Sequence, residues 1–302
     1  MIKCSEKQIS SVFNSNVGVL CEDTINIINF LAHKVGAPTY KKTPNFKKRH
    51  SVVDKITGED WAAIRNFKTT VMKKNTEGIL KEIDEIRCLL NKVTDSLFDE
   101  TLVSIMEKLK KCKDEFSIEE FKKIGKIIFD IGSKNKWSSF LYAKVYKRIC
   151  LDYPIFNDIS NDNFNSYSKI FETINYIDPD EDYSLYCDYN KENEIRKSTG
   201  LFFVNLMKCQ VFDEKKIAKL IINLINKINE NLILKNKKEV IDELVSNLII
   251  LVEKTKHKLK NSDSWTTIEN HIVKMSNEDK NNFESFSMKI KFKYIDLVEG
   301  FD

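Results

Sequence analysis

Glycine and proline are scarce in this chain, at 8 and 4 of 302 residues. An all-β sandwich or barrel needs turn signals every 8–12 residues or so, so the shortage argues against one and favours helices. Cysteine supplies no framework. Cys4, Cys21, Cys88, Cys112, Cys150, Cys187 and Cys209 are odd in number and contain no Cys-x-x-Cys pair. They read as reduced core thiols of a cytoplasmic protein. The histidines His33, His50, His257 and His271 are scattered, which disfavours a zinc site or a catalytic triad. There is no Gly-x-x-x-x-Gly-Lys loop and no His-Glu-x-x-His. Asp178, Asp180 and Asp182 have the first spacings of a calcium loop, but Tyr183 replaces its glycine and Tyr189 its bidentate glutamate. No enzyme activity, metal or cofactor is expected. No run reaches the ~18 apolar residues of a membrane span, and no signal peptide or lipidation signal is visible.

What the chain has is lysine: 44, against 5 arginines, with 28 asparagines and 6 alanines. Such a bias follows AT-rich codons, as in several protists and giant DNA viruses, and reports on the genome more than on function. The net charge is only +4, which permits RNA binding without demanding it. Apolar residues make up 42%, enough for a sizeable core.

Three regions differ in pattern. Residues 1–56 form an extension, with one amphipathic helix expected over 22–35 and a basic linker after it. Residues 57–75 form a lead-in segment. Residues 76–302 repeat the helical period throughout. Helices are expected over 79–90, 95–111, 117–132, 138–151, about 162–176, 191–209, 213–231, 237–257, 264–275 and 278–298, with an acidic loop at 178–190. Consecutive pairs of this size predict an all-α, HEAT-type solenoid of about five antiparallel helix pairs.

At "EIRCLLNKVTDSLF" (85–98) one helix gives way to the next without Gly or Pro. Thr94 is a good N-cap there, followed by Asp95 in the first turn. Arg87, Leu90, Asn91, Lys92, Thr94 and Phe98 resemble the first-repeat corner of the middle domain of eukaryotic translation initiation factor 4 gamma. The likeness continues in order. "IIFDIGSKNKWSSFLYAKVYKRIC" (127–150) is similar to the second repeat through Tyr142 and Ala143, with Phe140 slightly displaced. "IRKSTGLFFVNLMKCQVFDEKKI" (195–217) is similar through Arg196, Lys197, Ser198, Gly200, Phe203, Leu206, Phe212 and Asp213. "SMKIKFKYIDLVEG" (287–300) resembles the final helix, with Lys289 and Lys291 for the family's arginines, then Ile290, Phe292 and Asp296. Trp61 stands where the family has a Trp-containing lead-in. The family's Tyr-x-x-x-x-Leu-apolar peptide is absent; the nearest, "YKRICLD", has Asp152 at the apolar position. A minimal version is expected, without the later domains of the full-length factor.

The resemblance implies a cytoplasmic translation initiation scaffold that binds a DEAD-box RNA helicase and mRNA; an adaptor in splicing, mRNA decay or poly(A)-linked translation is the alternative. The helicase contacts implied are Trp61, Asn91, Lys92, Thr94, Phe98, Lys289, Lys291, Phe292 and Asp296. RNA contacts would come from Lys41, Lys42, Lys47, Lys48, Arg49, Arg196 and Lys197, and a cap-binding protein would dock on Ile25, Ile28 and Leu31 of the upstream helix. Each residue has a plainer reading. Asn91 would cap its helix through its side chain, Trp61 would anchor a core, and Lys289 and Lys291 would be solvated charges. Residues 41–49 would be a solvated linker, and Arg196 would pair with Asp180 or Asp182. Lys254, Lys256, Lys258 and Lys260 would complement a helix C-terminus, and the upstream helix would cap the solenoid.

Overall fold

A computed structural model describes residues 20–34, 75 and 77–301. The chain divides into two compact units, Met1–Val71 and Met72–Asp302. The described part of the first is a single helix, α1 (Glu22–Lys34), with Glu22 and Asp23 in its first turn, where negative charge suits the helix dipole. Its Ile25, Ile28 and Leu31 are exposed.

The second unit holds α2 (Gly78–Leu90), α3 (Phe98–Glu115), α4 (Ile118–Lys134), α5 (Ser139–Asp152), α6 (Ile155–Ile170), α7 (Tyr183–Lys208), α8 (Glu214–Leu232), α9 (Lys238–Leu259), α10 (Trp265–Asn277) and α11 (Met288–Glu299). No strand occurs among the described residues. Consecutive helices pack as pairs. One layer runs α3, α5, α7, α9, α11, each touching the next. The other runs α2, α4, α6 and resumes with α8 and α10. This is an all-α architecture of packed helix pairs, consistent with a helical solenoid.

Three helix starts differ most from expectation. α6 begins at Ile155, because Phe156 and Ile159, almost wholly buried, already belong to its inner face. The surrounding Asn and Asp residues mask that stripe in the sequence. α7 begins at Tyr183, taking up half of the expected acidic loop. Asp182 caps it, accepting the Leu185 N–H at 3.0 Å. α11 begins only at Met288, capped by Ser287 at 3.2 Å from the Ile290 N–H. The preceding turn is instead pinned by Ser285, which donates to the Leu234 carbonyl at 2.6 Å and accepts from the Lys237 N–H at 3.0 Å.

The centre of the core is aromatic. Phe129 makes an edge contact with Tyr146 and another with Phe202, with ring centroids 5.8 and 5.3 Å apart. Phe203 packs on Phe164 at 5.0 Å and on Phe212 at 5.4 Å. A buried Phe contributes about 1.5–3 kcal/mol through area alone, and such ring pairs add more. Gly200 explains itself here. A Cβ at that position would lie 2.5 Å from the Tyr167 hydroxyl, which donates to the Arg196 carbonyl at 3.1 Å.

The last pair carries a buried His271, hydrogen-bonded to the Tyr294 hydroxyl at 3.1 Å. Burial, with Lys274 adding to it, lowers its pKa to about 4. The folded state therefore refuses a proton that the unfolded chain accepts near pH 6.5. Stability is fully present above pH 6.5 and falls as pH drops from 6.5 toward 4, by an amount on the order of 3 kcal/mol. Thermal melts across that window should show a steep fall for the wild type and a shallower one for His271→Gln.

Candidate partner-binding surfaces

The corner after α2 is closed by backbone and by a neighbouring pair. The N–H groups of Asn91, Lys92 and Val93 bond the carbonyls of Arg87, Leu89 and Leu90 at 2.9–3.1 Å. The Leu90 carbonyl also accepts the Tyr142 hydroxyl at 3.2 Å, and Val93 is buried beneath. Asn91 thus caps through its main chain, and its exposed side chain makes no hydrogen bond among the described residues. Thr94 is not the N-cap of α3. Its hydroxyl accepts the Leu97 N–H at 3.3 Å, closing a turn before the helix starts at Phe98.

That corner meets the first turns of α5. The Lys144 ammonium sits over the Phe140 ring at 4.8 Å and the Phe98 ring at 5.9 Å. Leu97 is 45% exposed, Phe140 46% and Trp137 95%. Lys92 and Lys136 are exposed beside them in sequence. The surface therefore combines solvated aromatic rings with unburied cations. Trp137, Phe140 and Lys144 were not legible as site residues. The available signal was a tryptophan in a short polar turn, where the core has no use for it.

On α11, Lys289, Phe292 and Asp296 share one stripe by helical spacing and are all exposed. Lys289 pairs with Asp242 at 2.9 Å. Lys291 leaves this group: its ammonium donates to the Glu278 carbonyl at 2.8 Å and caps the end of α10. A cleft of about 700 Å³ opens beside Lys289, lined among others by Tyr176, Tyr189, Lys197 and Asp242. Although burial opposes it, hydrogen bonds from Lys293 and Lys289 hold the Asp242 carboxyl below its ordinary range.

Arg196 is overturned as an RNA contact. It lies mid-helix rather than near a helix start, is 7% exposed, and donates to Asn193 at 2.6 Å and Glu243 at 3.2 Å. Its partner is Glu243 on α9, not Asp180 or Asp182. Lys197 is half-buried and reaches the same carboxylate at 3.4 Å and Glu194 at 3.0 Å. The acidic loop supplies a cap, Asp182, and a turn, Asp178 accepting the Asp180 N–H at 2.9 Å. Trp61, Lys41, Lys42, Lys47, Lys48 and Arg49 lie outside the described residues.

Among the described residues no group of three or more His, Cys, Asp or Glu could hold a metal ion, and no helix is long and apolar enough to cross a membrane. No protein-family model matches the chain, and no curated protein matches it.

The Arg196–Glu243 pair yields a stability test. Glu243→Gln strands a buried guanidinium and should cost on the order of 3 kcal/mol. Arg196→Met with Glu243→Leu removes both charges and should recover most of that loss. Urea titrations of the three proteins check it; a neutral Glu243→Gln would place the pair outside the folding energetics.

Proposed function

We propose that the chain is a HEAT-type scaffold of translation initiation that holds a DEAD-box RNA helicase and contacts mRNA. The observation that carries the reading is the corner where exposed Leu97, Trp137 and Phe140 flank half-buried Phe98. In the family resembled, the first-repeat corner, matched here by Arg87, Leu90, Asn91, Lys92, Thr94 and Phe98, holds the helicase's C-terminal lobe. A monomer gains nothing by exposing a whole tryptophan, whereas interface hot spots are enriched in that residue. Asn91 and Lys92 flank the corner with side chains free to meet a partner. The outer stripe of α11, with Lys289, Phe292 and Asp296, is the second contact and faces the helicase's N-terminal lobe. α1 offers Ile25, Ile28 and Leu31 to a cap-binding protein as a helix laid in a groove.

The scaffold does no bond chemistry. By binding one arrangement of the helicase lobes more tightly than others, it raises the occupancy of that arrangement. ATP hydrolysis remains with the helicase.

The test is an RNA-dependent ATPase assay of a translation initiation helicase with and without the chain, alongside direct binding. Wild type should stimulate turnover. Trp137→Ala should weaken binding by roughly 30-fold, the equivalent of a 2 kcal/mol hot spot, at an unchanged melting temperature. Asn91→Ala with Lys92→Glu should weaken it too. Stimulation of a splicing or decay helicase instead would move the chain to another RNA pathway, and unchanged affinity in both variants would remove the corner from the reading.

A further inference from the structure

Residues 176–194 depart in composition from the rest of the chain. They hold four of its ten tyrosines, Tyr176, Tyr183, Tyr186 and Tyr189, and seven carboxylates against one lysine, in a chain whose net charge is +4. Among the described residues, only Glu194 of these seven forms an ion pair, with Lys197. Two others serve the backbone: Asp182 caps α7 and Asp178 closes a turn. Asp180, Glu181, Asp188 and Glu192 are exposed.

Three of the four tyrosines come together. Tyr176, Tyr186 and Tyr189 line the cleft of about 700 Å³ that α7, α9 and the start of α11 enclose, with Asn190, Asn193 and Glu239 beside them. That volume lies within the ~300–1,000 Å³ of ligand-binding clefts. The Tyr176 and Tyr189 rings are 5.9 Å apart at 88°, so one turns its edge to the other and the two form a right-angled corner. The floor is fixed before any ligand arrives. Tyr189, Asn193 and Glu243 are each more than nine-tenths buried. Arg196 donates to Asn193 at 2.6 Å and to Glu243 at 3.2 Å, and Asn247 donates to the same carboxylate at 2.8 Å. At the mouth, Phe171 and Ile174 anchor the loop before α7 in the core, and Tyr176 is left 39% exposed.

Charge selects the occupant. Of the three lysines on the walls, Lys197 and Lys289 are already neutralised, by Glu243 and Asp242. Lys238 stands next to Glu239 at the start of α9, and Glu239 has no cation partner among the described residues. Desolvation and then the carboxylates Asp178 and Glu239 raise the pKa of the Tyr176 phenol. The tyrosine end of the cleft is therefore negative, and a cleft focuses the field of the acidic stretch around it. Such a place repels phosphate and attracts a cation. The walls also carry acceptors, in the Glu239 carboxylate, the Asn190 and Asn193 amides and the phenol oxygens. A quaternary ammonium would leave these unmet. A guanidinium meets them with five N–H donors and lays its flat face on a ring.

We propose that this cleft binds an arginine side chain presented by a basic segment of a partner protein, with the guanidinium stacked on Tyr176 and paired with Glu239. The cleft exceeds one side chain in volume, so residues flanking the arginine enter with it. The site lies apart from the corner at 91–98 and goes beyond the helicase and mRNA contacts of the proposed function.

The test uses the full chain alone, without helicase or RNA, so that its failure leaves the scaffold reading standing. Binding of a fluorescein-labelled peptide of alternating glycine and arginine, three arginines long, is followed by anisotropy. Wild type should bind it, and should bind the matching lysine peptide at least ~3-fold more weakly, because an ammonium lacks the flat fork. Tyr176→Ala should weaken binding roughly 3- to 30-fold, the range of a cation–π contact, whereas Tyr176→Phe keeps the ring and should stay within about three-fold. Glu239→Gln, a conservative change at an exposed position, should weaken binding about 5-fold and lessen its salt dependence. Glu107→Gln removes the same charge from an exposed position on α3 and should leave affinity within about two-fold. No binding by wild type, equal affinity for the lysine peptide, unchanged affinity in both Tyr176→Ala and Glu239→Gln, as large a loss in Glu107→Gln, or stronger competition by choline than by arginine methyl ester would overturn the proposal.

Discussion

Phe202 and Phe203 are adjacent on α7 and both fully buried. Neighbouring residues on a helix point about 100° apart, so burying both requires cover on more than one side. α4, α5 and α6 supply it, through Phe129 and Tyr146 on one ring and Phe164 and Tyr167 on the other. A single helix pair has no means of covering such a face, which is why the pairs must stack. Gly132 and Gly200 mark the cost in side-chain room. A Cβ on Gly132 would lie 2.9 Å from the Phe202 ring, and one on Gly200 would meet Tyr167. Once α7 is wrapped in this way, α9 and then α11 continue the layer beyond it.

The chain ends its helices with little help from glycine. Orphan carbonyls are met instead by groups from other helices and turns: the Tyr142 hydroxyl on Leu90, Ser285 on Leu234, Lys291 on Glu278, Lys260 on Phe301. The Lys291 bond closes the last pair on itself, and the other three each fasten two pairs. The same demand sorts the lysines. Some cap and some pair: Lys291 and Lys289, two residues apart on α11, divide between the two roles, Lys291 closing the end of α10 and Lys289 meeting Asp242.

Much of this was visible in the sequence. The helical period over 213–231 and 237–257 gave α8 and α9 to within two residues, because long apolar stripes on a helix have no competing reading. α6 was harder: Phe156 and Ile159 sit among Asn and Asp, and the inner stripe of a mostly polar helix is faint. The start of α7 was lost because Asp182 reads equally well as loop and as cap. At the sites, residue type pointed to function where position did not. Arg196 looked like an RNA contact, but the carboxylate that buries it, Glu243, lies 47 residues away, beyond any local pattern. Trp137 lies within a family-like motif, but its exposure is not legible there, since nothing in a short turn says which way a ring points.

The central claim is that the corner of Leu97, Phe98, Trp137 and Phe140 is where a DEAD-box helicase of translation initiation is held. Hydrogen exchange of the full chain with and without that helicase tests it most directly. The account predicts slowed exchange concentrated at 91–98 and 135–144, with little change in the interior of α7, which is already closed. Binding that protects other segments and leaves these two unchanged, or the absence of any binding, would contradict it.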